Sequence, residues 1–411
     1  MNPELRFKDQ DGNAFPDWEE KKIDKVCRIQ TESGNTQDKE DDGIYPFYVR
    51  SPIVEHSNKY IFECESVLTV GDGVGVGNVY HYANGKFNCH QRVYAMNEFN
   101  GISGKYFYYF FSTHFGARVK SMTAKTSVDS VRKDMIAKMD IQMPNDMKEQ
   151  SKIATLLSDI DKKIESQATL VEKLKNTKDA MLVKMFPQGE SKVPEIRFDG
   201  FSGDWKKIDV RYLINEAIIE KPMDGNHGEK HPVSSEYVED GIPFLMASDV
   251  KDGKVDLDNC KFISKSRAEK LDKGFARNND VLLTHKATIG ETAILTGLNT
   301  EYAMLTPQVT YYRIIDNKKL NHFYLYSAFM SKQFQKDIHI AATQSTRSYI
   351  GIVKQHKLKI WFPIDIQEQE KIGQFFSNLD KEIEINQQKY EKLGDIKKAL
   401  LSKLFPTKED E

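Results

Sequence analysis

The sequence predicts an α+β chain in which two mixed globular domains alternate with two long helices that pair as a coiled coil. Three observations carry this reading. Residues 144–187 and 363–406 match without a gap at a constant offset of 219, with 20 of 44 positions identical. Both copies place their apolar side chains at alternating spacings of four and three. Ahead of each copy a shorter motif repeats, Pro3-Glu4-Leu5-Arg6-Phe7 recurring as Pro194-Glu195-Ile196-Arg197-Phe198. A gapless internal match of this length means that one structural unit is used twice.

Each 44-residue copy reads as one helix. The first carries Ile153, Leu157, Ile160, Ile164, Gln167, Val171 and Leu174 in the a/d rhythm of a coiled coil, and the second carries Ile372, Phe376, Leu379, Ile383, Asn386, Tyr390 and Leu393. Polar interruptions fall at the same two places in both, Gln167 with Asn386 and Lys178 with Lys397. At about 1.5 Å per residue such a helix spans roughly 60 Å. A rod with one apolar stripe needs a partner, and the other copy is the natural one. Two unrelated surface helices would leave the coinciding polar positions unexplained. Apolar residues off the stripe, Leu156, Leu170 and Leu182, are candidates for a second surface.

The prolines that bracket the helices set the expected boundaries: a globular domain over 1–145, a helix over 146–187, a second globular domain over 188–365, a helix over 366–406 and a tail over 407–411. Both domains read as mixed. Short β-type runs in the first, 45–49, 66–70 and 92–96, have counterparts at 242–246, 281–284 and 308–312. An aromatic helical segment follows in each, 105–111 and 321–326, whose density of rings marks it as core. Between Trp18 and Trp205 the offset is 187, against 219 over the helices, so the middle of the second domain carries about 32 extra residues. Divergence inside a repeated frame suits two copies that read different things.

Composition narrows the class. With 39 % apolar and 29 % charged residues the 411-residue chain is globular, and no run of about 18 apolar residues suggests a membrane span. Cys27, Cys64, Cys89 and Cys260 are scattered, without a CxxC pair, and read as free buried thiols of a cytoplasmic protein. Catalytic motifs do not emerge. GDGVGVGN at 71–78 has neither dinucleotide nor P-loop spacing and reads as a strand and turn. The acidic-x-basic triplet Glu190-Ser191-Lys192 sits in a linker rather than on a strand, and His227 and His231 lie in a loop, which argues against a nuclease or a metal site.

The net charge of −2 is no bulk signal for nucleic acid, so that case rests on local patches. Two fall at equivalent places ahead of the helices. The first holds Arg118, Lys120, Lys125, Thr126, Ser127 and Arg132; the second holds Gln344, Ser345, Thr346, Arg347 and Lys354. Lys286, in the strand-turn stretch of the second domain that matches the glycine-rich stretch of the first, joins these candidates. Cations for phosphates beside short polar side chains for base edges are the division of labour in DNA binding.

With these residues in view the chain resembles the specificity (S) subunit of type I restriction-modification systems over essentially its whole length. The resemblance rests on the two-fold plan, on Trp18 and Trp205, on Thr126-Ser127 and Ser345-Thr346, and most specifically on the P-x-x-x-x-E-Q-x-K-I openings at Pro144 and Pro363. It implies two target-recognition domains, each reading one half of a split sequence in double-stranded DNA. It implies that the helices lie antiparallel, giving an internal pseudo-two-fold, and that they dock two modification subunits and, through them, the restriction subunits. It implies no chemistry or cofactor in this chain: S-adenosylmethionine, ATP and Mg belong to the partner subunits. The alternative is a coiled-coil protein-assembly scaffold that does not bind DNA directly.

Overall fold

The computed structural model describes residues 3–123, 130–343 and 349–405. The chain divides into two compact units, Met1–Ala168 with Gln388–Glu411, and Thr169–Gln387.

In the first unit β1 (Trp18–Lys22), β2 (Arg28–Gln30), β3 (Tyr45–Tyr48), β4 (Val54–Ser57), β5 (Phe62–Val70), β6 (Tyr80–Cys89) and β7 (Val93–Asn97) precede α1 (Gly104–Thr123), α2 (Lys133–Ala137) and β8 (Asp140–Pro144). Six strands form one sheet in the order β2-β7-β5-β6-β3-β4, in which only the β3/β6 pair is parallel. The run Ser66-Val67-Leu68-Thr69-Val70 is fully buried, as a central strand covered on both faces must be. The turn that follows demands glycine. A Cβ on Gly71 would stand 2.9 Å from the Arg92 carbonyl oxygen, and Gly73 has φ +85°. Tyr106, Phe107, Phe111 and Phe115 of α1 are buried against the sheet, and the Tyr106 hydroxyl donates to the Gln142 carbonyl of β8 at 2.8 Å.

The second unit repeats the plan with more strands. They are β9 (Lys206–Asp209), β10 (Met223–Asp224), β11 (Tyr237–Val238), β12 (Ile242–Leu245), β13 (Val250–Lys251), β14 (Lys254–Val255), β15 (Lys261–Ile263), β16 (Phe275–Ala276), β17 (Val281–Lys286), β18 (Thr288–Ile294), β19 (Ala303–Leu305), β20 (Val309–Tyr312) and β21 (Lys359–Phe362). One sheet runs β10-β20-β17-β18 and another β11-β15-β12-β19-β16, while β21 pairs β9 as β8 pairs β1. Helices α4 (Val210–Asn215), α5 (Lys265–Ala268), α6 (His322–Met330), α7 (Lys332–Thr343) and α8 (Ile352–Gln355) complete it. Tyr324, Leu325 and Phe329 of α6 are buried, and the Tyr324 hydroxyl donates to the Trp361 carbonyl at 2.6 Å, as Tyr106 does to Gln142.

The long helices are α3 (Met147–Lys184) and α9 (Ile366–Leu404). Each starts at an aspartate whose carboxylate accepts an early backbone N–H: Asp146 from Lys148 at 2.7 Å and Asp365 from Gln367 at 2.9 Å. Their expected stripe residues are buried toward the helix starts, at Ile153, Leu157, Ile160, Ile372, Phe376 and Leu379, and again at Val171 and Asn386. Ile164, Gln167, Leu174, Ile383 and Leu393 are half-buried, and Tyr390 is exposed at 37 %. In the first unit Ile153 and Leu157 share a core with Leu404 and Phe405; in the second, Ile372 and Phe376 share one with Leu182, Met185 and Phe186. Leu182 is therefore a core residue and not part of a second surface, because it is buried in the cluster that also holds Tyr324, Leu325 and Phe329 of α6. Leu156 is half-buried and Leu170 is 40 % exposed. All four cysteines are free, three of them buried. Among the described residues no helix is long and apolar enough to cross a membrane.

Candidate nucleic-acid interface

The repeated Glu-Gln pair at the start of each helix serves architecture. Glu149 is fully buried and takes two hydrogen bonds from Arg6, Nε to Oε1 at 3.1 Å and Nη2 to Oε2 at 2.8 Å, with Trp18 Nε1 donating at 3.2 Å. Glu368 is held in the same way by Arg197 at 2.7 and 2.9 Å and by Trp205 at 3.3 Å. Bidentate pairing satisfies a carboxylate that burial would otherwise penalise. The adjacent Gln150 and Gln369 bridge helix to domain: each amide donates to the proline carbonyl that precedes its helix, and each side-chain carbonyl accepts from Ser103 or Asn321. The two short motifs read separately in the sequence, Pro-Glu-x-Arg-Phe and the helix opening, thus form one clamp.

A second duplicated cluster was missed by sequence reasoning. In the first unit Tyr109 of α1 donates to Asp161 Oδ2 at 2.8 Å, and Lys397 reaches Asp161 Oδ1 at 2.5 Å with its ammonium over the Tyr109 ring. In the second unit Tyr326 donates to Asp380 Oδ2 at 3.0 Å, and Lys178 reaches Asp380 Oδ1 at 2.5 Å over the Tyr326 ring. Burial and the neighbouring carboxylate push both phenol pKa values up, so both stay protonated donors. The signal was present: Asp161/Asp380 and Lys178/Lys397 are identities of the repeat. Read as seam interruptions, the lysines looked like gaps in an apolar stripe.

Of the expected DNA-binding residues, Lys125, Thr126, Ser127, Gln344, Ser345, Thr346 and Arg347 lie outside the described residues. Their flanks are anchored alike. Asp72 forms a β-bridge with Ser130 and the Val131 N–H donates to the Gly71 carbonyl at 2.8 Å; Lys286 bridges Tyr349 and the Ile350 N–H donates to the His285 carbonyl at 3.1 Å. Lys120, Arg132, Lys286 and Lys354 are exposed. Arg118 is half-buried, with Nε on the Met135 carbonyl at 2.8 Å, where it ties α1 to α2. His227 bonds Asp224 at 2.9 Å, so it is an exposed ring with a buried partner rather than a free one. Among the described residues no group of three or more His, Cys, Asp or Glu is placed to hold a metal.

A model of the type I restriction modification DNA specificity domain matches residues 16–176 and again 226–394, each match taking in most of one globular region and most of the helix after it. The chain belongs to that family. Its type I membership extends to full-length relatives: it is 24 % identical to the type I restriction enzyme MjaVIII specificity subunit of Methanocaldococcus jannaschii over 98 % of this chain and 96 % of that protein. It is 23 % identical to a putative type I specificity subunit, S.MgeORF438P, of Mycoplasma genitalium over 70 % of this chain and 67 % of that one. The fold is shared with the crystal structure of a type I system S subunit from M. genitalium, with a TM-score of 0.71 at 17 % identity over 99 % of this chain and 100 % of the other. A second type I structure, solved for complex assembly and conformational transition, matches with a TM-score of 0.51 at 15 % identity over 95 % and 98 %.

Proposed function

We propose that this family member reads a bipartite sequence in double-stranded DNA, one half-site per globular domain over 1–145 and 188–365, and that α3 and α9 pair as an antiparallel coiled coil that spaces the two readers. The single observation that carries the reading is the duplicated Lys-Asp-Tyr cluster. Within each unit it joins the first half of one long helix, the end of the other and the aromatic helix of a globular domain, so each reader is seated on the helix pair. Rising numbers on one helix meet falling numbers on the other in both units, which supports the antiparallel sense and a pseudo-two-fold. A stiff spacer imposes a fixed gap, because one base pair of travel along B-DNA also turns the reader by about a tenth of a turn.

The same reading gives the chain a scaffolding role for two modification subunits and, through them, for the restriction subunits, in the cytoplasm. Methyl transfer with S-adenosylmethionine and ATP-driven, Mg-dependent cleavage fall to those partners, and this chain contributes no catalytic group. Co-expression with a modification subunit followed by single-molecule sequencing tests the reading. A methylated motif of two short elements around a fixed gap is expected; a continuous motif, or none, overturns it. The assembly-scaffold alternative is separated by a mobility shift on random duplex at low salt, where it requires no binding with or without the modification subunits.

A further inference from the structure

Around the turns after β5 and β17 the two domains share a backbone frame but not the side chains mounted on it. The Gly71 N–H donates to the Arg92 carbonyl at 2.7 Å, and the His285 N–H donates to the Gln308 carbonyl at 2.9 Å. The His90 N–H donates to the Tyr48 carbonyl at 2.9 Å, and the Thr306 N–H to the Leu245 carbonyl at 2.9 Å. With the Asp72/Ser130 and Lys286/Tyr349 bridges, these bonds make Arg50 equivalent to Ala247, Asp72 to Lys286 and Arg92 to Gln308. Gly73 and Ala287, the next residues along the turn, both have positive φ.

In the first domain the three positions form a cluster. Arg50 Nη1 lies 3.2 Å from Asp72 Oδ1 and Arg92 Nε lies 3.5 Å from Asp72 Oδ2, with the arginine side chains 51 % and 62 % exposed. Ion pairs this open contribute little to stability, so folding alone gives no reason to converge two guanidiniums on one carboxylate. One contact each leaves most of the five N–H donors of both forks for another partner. In the second domain the cluster is gone: Ala247 replaces one arginine, the acidic position is the exposed Lys286, and the half-buried Gln308 accepts from the Ala247 N–H at 3.3 Å, leaving its amide donors. Arginine matches the O6/N7 edge of guanine and glutamine the N6/N7 edge of adenine.

We propose that position 92 and its counterpart 308 are base-reading positions: Arg92, oriented by Asp72 beside Arg50, takes a guanine edge in one half-site, and Gln308 takes an adenine edge in the other. This rests on the bipartite DNA reading above and adds which side chains carry it. Asp72 is a positioning residue, acting through the two arginines it holds.

The test is reciprocal exchange in the full chain co-expressed with a modification subunit, read as the methylated motif. Arg92→Gln is expected to alter one position of one half-site and leave the gap and the other half unchanged; Gln308→Arg alters only the other half. In competition mobility shifts, discrimination at that position falls about 10- to 100-fold. Arg92→Lys keeps the charge without the fork, so it keeps affinity for random duplex and loses guanine preference, and Asp72→Asn relaxes the same position. A motif unchanged by the exchanges, or an Arg92→Lys variant that keeps its guanine, overturns the proposal and makes Arg92 a phosphate contact. Failure of the bipartite reading shows separately, as the absence of a split motif with the unaltered chain.

Discussion

Lys178 Nζ lies 2.5 Å from Asp380 Oδ1, and the Tyr326 hydroxyl donates to the other oxygen of the same carboxylate at 3.0 Å. The lysine side chain is 12 % exposed and the aspartate 29 %, so the pair is partly withdrawn from water. Removing one partner strands the other. Lys178→Met is therefore expected to cost about 1 to 3 kcal/mol, and adding Asp380→Asn to recover part of it. Denaturant unfolding of the two single variants and the double variant measures the coupling; additive losses would dissolve the triad into independent contacts.

Spacer length is the second prediction. Deleting one heptad from the middle of each long helix shortens a paired spacer by about 10 Å, the length of roughly three base pairs. The methylated motif of such a variant is expected to keep both half-sites and lose about three base pairs of gap. An unaltered gap would detach spacing from the helices.

Acid sensitivity is the third. His285 is fully buried beside Asp224, with Nε2 at 4.0 Å from Oδ2, and burial pushes its pKa down to about 4. The unfolded imidazole has an ordinary value near 6.5 and so takes up protons first. Stability from this group is therefore complete above about pH 6.5 and is lost as pH falls toward 4. Unfolding of the chain is expected to become easier by about 2 kcal/mol between pH 7 and pH 5 through this residue, and His285→Asn to remove that slope. A slope equal in both proteins would assign it elsewhere.

The fourth prediction separates the basic residues. Lys120 and Lys354 are exposed, and Lys→Ala at either is expected to weaken binding to every duplex alike and to lower the salt slope by about one. Arg118 holds the Met135 carbonyl, so Arg118→Ala is expected to cost about 1 kcal/mol of stability while the motif is kept. A motif altered by Arg118→Ala would move it from framework to reader.

Much of the plan is legible in the sequence. The 219-residue offset identifies the repeat, and the four-three spacing predicts helices over 146–187 and 366–406, which run over Met147–Lys184 and Ile366–Leu404. The aromatic segments read as core are core, because ring-dense helices have nowhere else to hide their surface. Less legible is what the polar identities do. Glu149 and Glu368 look like helix-start charges, yet they are buried carboxylates whose arginines come from more than 140 residues earlier in sequence. Arg50 and Arg92 carry no motif at all, since their meeting on Asp72 depends on sheet register rather than spacing.

Periodicity and repetition are properties of local chain geometry, so the sequence alone determined that two like long helices exist, and roughly where each begins. Which side chains share a carboxylate is a property of distances across strands and helices far apart in the chain. Only the tertiary structure decided that Lys178 belongs to Asp380, that Leu182 lies inside a core, and that positions 92 and 308 stand in the same place with different chemistry. Backbone hydrogen bonds hold that place whatever side chain is mounted there, which is why the frame repeats while its occupants differ.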